Sequence, residues 1–109
     1  MIATRIRDRF LRDPLSVRLG GLAADLLRIA SCAEDPRERD TLVSLLEEGK
    51  WFAEWAAGDA PLEVQERLAE VQRLLASWQY RCLSGKLNLA MRAEARRWSD
   101  QLLVLAGLR

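Results

Sequence analysis

The feature of this 109-residue chain that most restricts its fold is the spacing of its apolar residues. They recur at steps of three and four, which keeps one face of an α-helix toward a core, whereas a half-buried strand alternates strictly. Four successive stripes have this spacing: Leu15, Leu19, Leu22, Leu26, Ile29 and Ala33; Leu42, Leu45 or Leu46, Gly49, Phe52 and Ala56; Val64, Leu68, Val71, Leu75, Trp78 and Cys82; Leu87, Met91, Ala95, Trp98, Leu102 and Leu105. No segment alternates strictly, so the sequence predicts an all-α chain.

Prolines and glycines set the expected helix boundaries. Aspartate followed by proline is typical of an N-cap and first helical turn, and three such sites occur: Asp13-Pro14, Asp35-Pro36 and Asp59-Ala60-Pro61. Glycine commonly ends a helix, and three glycines stand at suitable positions: Gly58, Gly85 and Gly107. These signals predict four helices: 14–33, 36–57, 61–83 and 87–106.

Helices of similar length with short connections pack antiparallel to their neighbours. We therefore expect an antiparallel up-down-up-down four-helix bundle over residues 13–109, preceded by a short N-terminal helical arm over residues 1–12. Gly20-Gly21 is the weak point of the first bundle helix, because it would loosen that helix or admit a neighbouring backbone at close range. In the arm, Ile2, Ile6 and Phe10 share one face, and the cost of exposing Phe10 favours docking on the bundle over a free arm.

Composition and charge fit a single folded domain. Half of the residues are apolar, 30% are charged, and the net charge is +1. Residues 1–12 carry four arginines against one aspartate, and residues 86–109 carry five bases against two acids, whereas residues 34–58 carry seven acids against three bases. This pattern indicates attraction between helices first and a partner surface second, and it does not favour nucleic acid or an acidic membrane as the partner.

The absence of histidine excludes several classes of active site. Ser-His-Asp and Cys-His catalysis, di-iron sites with Glu-x-x-His pairs and zinc sites built on histidine all require it. Cys32 and Cys82 are too few for a disulfide framework and are expected to fill the core. No glycine-rich phosphate loop, secretory signal or membrane-length apolar run occurs. We expect a cytoplasmic protein that is not an enzyme and binds no metal or other cofactor.

An acidic cluster leaves one alternative function open, a metal-dependent hydrolase of nucleoside phosphates. Five glutamates would supply its ligands: Glu47, Glu48, Glu63, Glu66 and Glu70. Glu63 and Glu66 have the Glu-x-x-Glu spacing of all-α pyrophosphohydrolases, but no helix provides the second acidic pair, since Trp51 stands three residues after Glu48. The pattern therefore favours a solvated acidic face. A basic nucleic-acid arm over residues 5–12 is a third reading, and it predicts affinity that falls steeply with salt.

The tryptophans are the strongest candidates for a binding surface. Trp51 and Trp55 lie one turn apart and flank Phe52, so a narrow core face cannot hold all three rings at its centre. A tryptophan bordered by charge is a common anchor for a protein partner. The predicted partner-binding residues are Trp51, Trp55, Glu47, Glu48 and Glu54. The alternative is that the N-terminal arm covers Trp51 with Ile6 and Phe10.

Three tryptophan-containing segments carry a resemblance to a known group of proteins. Residues 47–55 read Glu-Glu-Gly-Lys-Trp-Phe-Ala-Glu-Trp, and residues 75–79 and 97–103 add Leu-Ala-Ser-Trp-Gln and Arg-Trp-Ser-Asp-Gln-Leu-Leu. Together they resemble a family of small cyanobacterial all-helical proteins of uncharacterised function. The resemblance implies a helical bundle in a cyanobacterial cytosol and transfers no site residues. With the exclusions above, the sequence predicts a non-enzymatic protein–protein interaction module or a small homo-oligomeric helical protein, with an unidentified protein or a second copy as its partner.

Overall fold

The computed structural model describes residues 4–33, 35–83 and 89–108. This part of the chain contains five α-helices and a short 3₁₀ turn at Pro36–Glu38. The helices are α1 (Thr4–Arg12), α2 (Leu15–Cys32), α3 (Arg39–Ala57), α4 (Leu62–Leu83) and α5 (Leu89–Leu105). No strand occurs within the described ranges, so the predicted all-α class is confirmed.

The helix boundaries follow the sequence signals closely, with two differences at the N-termini. The Asp35 carboxylate accepts a hydrogen bond from the Arg37 amide at 3.0 Å, but this cap opens the 3₁₀ turn, and α3 begins only at Arg39. The prediction that Asp13 caps α2 is wrong, because no side chain caps that helix and Asp13 offers its main-chain carbonyl to Arg18 instead. Gly85 and the predicted helix start at residue 87 lie outside the described residues.

Contacts between the helices establish the antiparallel bundle. The guanidinium group of Arg39, at the start of α3, donates to the Cys82 carbonyl at the end of α4 at 2.8 Å. At the opposite ends of the same helices, Gln65 donates to the Ala57 carbonyl at 3.0 Å. Between α2 and α5, the buried Ser99 hydroxyl donates to the Ala23 carbonyl at 2.8 Å. Helix α2 therefore packs between α3 and α5, and α3 packs between α2 and α4.

The core is built from the predicted stripes. Each bundle helix contributes fully buried side chains, among them Leu22 and Ile29 of α2, Leu42 and Leu46 of α3, Leu68, Leu75 and Trp78 of α4, and Met91 and Leu102 of α5. Gly49 brings α3 close to α4, since a Cβ there would lie 3.0 Å from a Leu75 methyl carbon. Trp98 is also mostly buried, so both tryptophans expected on core stripes are confirmed there.

The glycine pair in α2 neither ends nor interrupts that helix, which runs from Leu15 to Cys32. The close neighbour of Gly20 is a side chain and not a backbone: a Cβ would lie 3.2 Å from a methyl carbon of Leu108. Gly107, with φ of 75°, turns the chain after α5, and the Leu108 amide donates to the Leu103 carbonyl at 2.9 Å in a Schellman motif. This turn brings Leu108 onto α2.

Helix α1 docks on the bundle through Phe10. The Phe10 ring stacks on Phe52 with centroids 4.4 Å apart and an interplanar angle of 12°, and it lies 5.9 Å from the Trp55 ring. Docking of the arm is therefore confirmed for the described residues. Ile6 does not share this burial, since 46% of its surface stays exposed, and Ile2 lies outside the described residues.

Replacing Gly21 with Ala is expected to raise the free energy of unfolding by roughly 0.5–1 kcal/mol, because Ala restricts the unfolded chain and favours the helix. A Cβ at Gly21 would meet nothing within 4 Å. Urea denaturation measures the change. Gly20→Ala is the matched control, and its gain should be smaller because the new Cβ approaches Leu108. A Gly21→Ala protein no more stable than the wild type would contradict the position of Gly21 in a helix with open space beside it.

Candidate functional site

The buried side chain of Arg18 connects the corner between α1 and α2 to the turn between α3 and α4. The candidate site lies beside this connection. Arg18 of α2 is 4% exposed, and its Nη1 and Nη2 atoms donate to Oδ1 and Oδ2 of Asp59 at 2.8 and 2.9 Å. Its Nε atom donates to the Asp13 carbonyl at 3.0 Å. Hydrogen bonds from Arg18 hold the pKa of Asp59 below its usual range. This bidentate contact fixes the α1–α2 corner beside the α3–α4 turn.

A cleft of about 640 Å³ opens between α1 and the end of α3 with the turn that follows it, and we call it the α1–α3 cleft. Its lining residues are Arg7 and Leu11 of α1, Glu54 and Trp55 of α3, and Gly58 and Asp59 of the following turn. The volume lies within the range of ligand pockets in proteins. Two of the predicted partner-binding residues, Glu54 and Trp55, therefore border one concave surface. The contribution of Arg7 and Leu11 was not visible in the sequence, because it depends on how α1 docks.

Of the three charged side chains that line this cleft, one is already paired with another described residue of the chain and two are not. Asp59 is held by Arg18, whereas Arg7 and Glu54 make no ion pair within the described part of the chain. The Trp55 ring between them is half-buried. The cleft can therefore offer one cation, one anion and an aromatic face to a ligand that carries both polar and apolar groups.

Trp51 and Glu47 belong to a hydrogen-bonded network between α3 and α4. The Trp51 indole donates to Oε1 of Glu47 at 3.0 Å, and Gln79 donates through Nε2 to Oε2 of the same carboxylate at 2.9 Å. Lys50 donates to Oε1 of Gln79 at 2.7 Å. The hydrogen bond from Gln79, joined by those from Trp51 and Lys50, lowers the pKa of Glu47. Glu47 is thus engaged within the chain, where it orients the Trp51 indole.

The structure also shows how far the N-terminal helix reaches over the tryptophans. Phe10 contacts the rings of Phe52 and Trp55, while the Trp51 ring packs on Trp55 with centroids 5.8 Å apart. Trp51 remains half-buried at the edge of this cluster. The aromatic residues therefore form one continuous row from α1 to the outer face of α3, with Trp55 at its centre.

Glu48 faces a buried carboxyl group across the α2–α3 interface. Asp25 is 4% exposed, and burial raises its pKa to about 7, with further increases from the charge of Glu48 and a hydrogen bond to it. Arg28, whose Nη1 lies 3.8 Å from Oδ1 of Asp25, opposes the shift. A proton on Asp25 lets this carboxyl group donate to Glu48. A sequence signal existed, because Asp25 falls on the apolar face between Leu22 and Ile29.

The five glutamates of the hydrolase alternative are spread over different surroundings. Glu47 is held by Trp51 and Gln79, and Glu48 faces Asp25. Glu63 and Glu66 are exposed on α4, and Glu70 lies 3.5 Å from Arg67. Over residues 4–33, 35–83 and 89–108, no three acidic or cysteine side chains stand where they could hold a metal ion.

Both cysteines carry free thiols. Cys82 is buried and Cys32 is half-buried, in agreement with the expectation that they fill space near the core. Burial raises the pKa of each thiol, so neither is activated as a thiolate.

Comparisons of the chain with protein-family models, with curated proteins and with solved structures find no significant match. The resemblance to cyanobacterial helical proteins stays a prediction. None of the helices in the described ranges has the length and apolar character that crossing a membrane requires.

Replacing Asp25 with Asn is expected to remove a loss of stability between pH 3.8 and about 7. Below pH 3.8 the carboxyl group is protonated in both the folded and unfolded chains. As the pH rises, the unfolded chain ionises first, so the free energy of unfolding falls until the folded pKa is passed. At pH 8 the Asn variant should be more stable by at least about 1 kcal/mol, since one pKa unit corresponds to ~1.4 kcal/mol. Urea denaturation across this range measures the effect, and parallel curves for the two proteins would contradict it.

Replacing Phe10 with Ala is expected to release α1 while leaving the bundle folded. The substitution removes the stacked ring that holds α1 on Phe52, whereas the other buried members of the core cluster all belong to the bundle, between residues 19 and 102. Hydrogen exchange should show the amides of α1 losing protection and those of α2 and α5 keeping it. Leu11→Ala, which leaves the stacked ring in place, is the control and should preserve protection in α1. Equal protection of α1 in the Phe10→Ala variant and wild type would contradict this role of Phe10.

Proposed function

We propose that this chain is a non-enzymatic protein–protein interaction module whose binding surface is the α1–α3 cleft together with the adjoining tryptophan row. The observation that carries this proposal is the position of Trp55, which is half-buried in the aromatic row and also lines the 640 Å³ cleft. Aromatic anchors of this kind, set in a pocket with a polar rim, supply much of the binding energy in protein interfaces.

Rigidity favours Trp55 as the anchor. Phe10 and Phe52 each lie 5.9 Å from its ring, and Arg18 holds the surrounding chain turns together. A side chain that is already fixed loses little conformational entropy when a partner binds. The partner therefore meets a preformed surface, with α1 as one wall of the cleft.

The other proposed contact residues have different roles on this surface. Glu54 and Arg7 flank the cleft with opposite charges and would set the orientation of a partner. Trp51 extends the aromatic row, and Glu47 positions its indole through the hydrogen bond at 3.0 Å. Glu48 lies one turn before Phe52, where its carboxylate faces Asp25. A partner that disturbs Glu48 would therefore also act on the buried pair.

Self-association through the same surface is a variant of this proposal, and the cytosol is the compartment we propose. Light scattering at high micromolar concentration distinguishes self-association from binding of a different protein, because it measures the molar mass. A monomer at that concentration rules out a homo-oligomer. An unrelated protein partner would leave the isolated chain monomeric.

Photo-crosslinking tests the proposed surface. A benzophenone amino acid at Leu11 places the reactive group in the cleft, and the same group at Leu27, which is 46% exposed on α2, provides a control away from the proposed surface. We expect the Leu11 probe to capture a partner from a lysate of the source organism, and Trp55→Ala to abolish that capture without unfolding the chain. The Leu27 probe should not capture it. Capture that is equal from both positions, or unaffected by Trp55→Ala, would remove the support for this surface.

A further inference from the structure

The bundle has one open side, between α4 and α5. Within the described residues these two helices contact each other far less than the other neighbouring pairs do. Two cavities lie along this α4–α5 seam, with volumes of about 410 and 380 Å³. Val104 and Leu105 line the first, which we call the Val104 cavity, and Leu74 and Trp98 line the second, the Trp98 cavity. Neither cavity shares a lining residue with the α1–α3 cleft.

The distance between the centres of the two cavities is close to the rise of two turns of an α-helix. On α4 the Val104 cavity is bordered by Glu63 and Arg67, and the Trp98 cavity by residues from Glu70 to Ser77. On α5 the corresponding stretches are 100–105 and 94–98. Their centres are about 8.5 residues apart on α4 and about 6.5 residues apart on α5, or ~10–13 Å along the helix axis, and two turns of a helix rise ~11 Å. Side chains at positions i and i+7 of one helix would therefore reach both cavities.

Charge on the rim restricts what can lie in the seam. Along α4 the sign alternates, in the order Glu63, Arg67, Glu70, Arg73, and along α5 it alternates in the order Glu94, Arg97, Asp100. Because acids and bases alternate, and Arg67 and Glu70 already lie 3.5 Å apart, the rim presents no continuous charge of one sign that would attract a nucleic acid or a polycation. The complementary ligand carries both signs on its flanks, as an amphipathic helix with alternating acidic and basic residues does.

The described part of a second copy does not match that description. The large apolar side chains that the described residues expose are Ile6, Leu11, Val17, Leu27, Leu62, Tyr80, Val104 and Leu108. No two of them stand seven residues apart on one helix. The exposed faces of a second copy, over the described residues, therefore do not supply the required spacing, which favours a helix of another protein as the occupant.

We propose that the α4–α5 seam is a docking groove for an amphipathic helix of another protein, with large apolar residues at i and i+7 and charges of both signs on its flanks. The helix would lie along both cavities and close the open side of the bundle, in the helix-in-groove mode of recognition. This inference is independent of the α1–α3 cleft. It adds a second binding surface to the molecule.

A displayed library of helical peptides, about 18 residues long so that several turns span the seam, tests this groove. The scaffold carries alternating Glu and Lys, and its remaining positions are randomised. After selection on the whole protein, we expect the enriched peptides to carry two large apolar residues at i and i+7. Failure to enrich any peptide, or enrichment without this spacing, would overturn the proposal.

Two matched variants locate the binding of a selected peptide. Val104→Lys places a charge in the seam, and Val17→Lys places one on α2; the two valines are 59% and 51% exposed, so neither change disrupts the core. We expect Val104→Lys to weaken binding at least about tenfold, equivalent to ~1.4 kcal/mol. Val17→Lys and Trp55→Ala should leave the affinity unchanged. Affinity that survives Val104→Lys, or is lost equally in the other two variants, would contradict the assignment.

Spectroscopy provides a readout at the second cavity. In a ¹⁵N-labelled protein, the indole N–H resonance of Trp98 should shift when the selected peptide binds, while that of Trp55 stays in place. Movement of Trp55 without Trp98 would locate the peptide in the α1–α3 cleft and overturn the proposal. A stable wild-type dimer that Val104→Lys dissociates would show that a second copy covers the seam, and it too would overturn the proposal.

Discussion

The relative position of the α1–α2 corner and the turn between α3 and α4 depends on the buried guanidinium group of Arg18. Its contacts with Asp59 and the Asp13 carbonyl join two chain turns that are more than forty residues apart in sequence. Without them, α1 would be attached to the bundle only through the Phe10 stack and the covalent chain. A buried charge is costly unless its hydrogen bonds are satisfied, and the bidentate geometry satisfies them in only one relative position of the two turns. The α1–α3 cleft exists because this position is fixed.

Arg18 is one of two buried charged residues of α2, the other being Asp25. Asp25 follows it by seven residues, and both side chains lie on the side of α2 that faces α3, where they meet Asp59 and Glu48 respectively. Apolar contacts alone allow two helices to slide past one another, whereas buried polar groups such as Arg18 and Asp25 reach their partners in a single register. The α2–α3 interface therefore fixes how the bundle is aligned, and the apolar stripes supply most of the burial. Because burial raises the pKa of Asp25 to about 7, the stability that this interface contributes falls as the pH rises toward that value.

The sequence was sufficient for the helices and for most of the core, because burial on one helical face has a period that can be read directly. It was not sufficient for the site. The sequence predicts Glu54 and Trp55 as binding residues, but the wall formed by Arg7 and Leu11 depends on a docking geometry that no local pattern encodes. Arg18 and Asp25 left a local signal, a charge on an apolar face, yet their partners lie on another helix. The sequence did not predict the α4–α5 seam for a related reason. Periodicity shows which face of a helix is apolar, but it does not show whether the neighbouring helix approaches closely enough to cover that face.

The two proposed surfaces differ in how they would respond to a partner. In the α1–α3 cleft the anchor is already held on several sides, so binding there has little to reorganise. The α4–α5 seam is incompletely packed, and a helix filling it would add apolar contacts that the free bundle lacks. Occupation of the seam should therefore stabilise the whole fold, whereas occupation of the cleft should act mainly on α1. Because the surfaces share no residue, both partners could be held at once, and such a molecule would bring together two proteins that make no contact of their own.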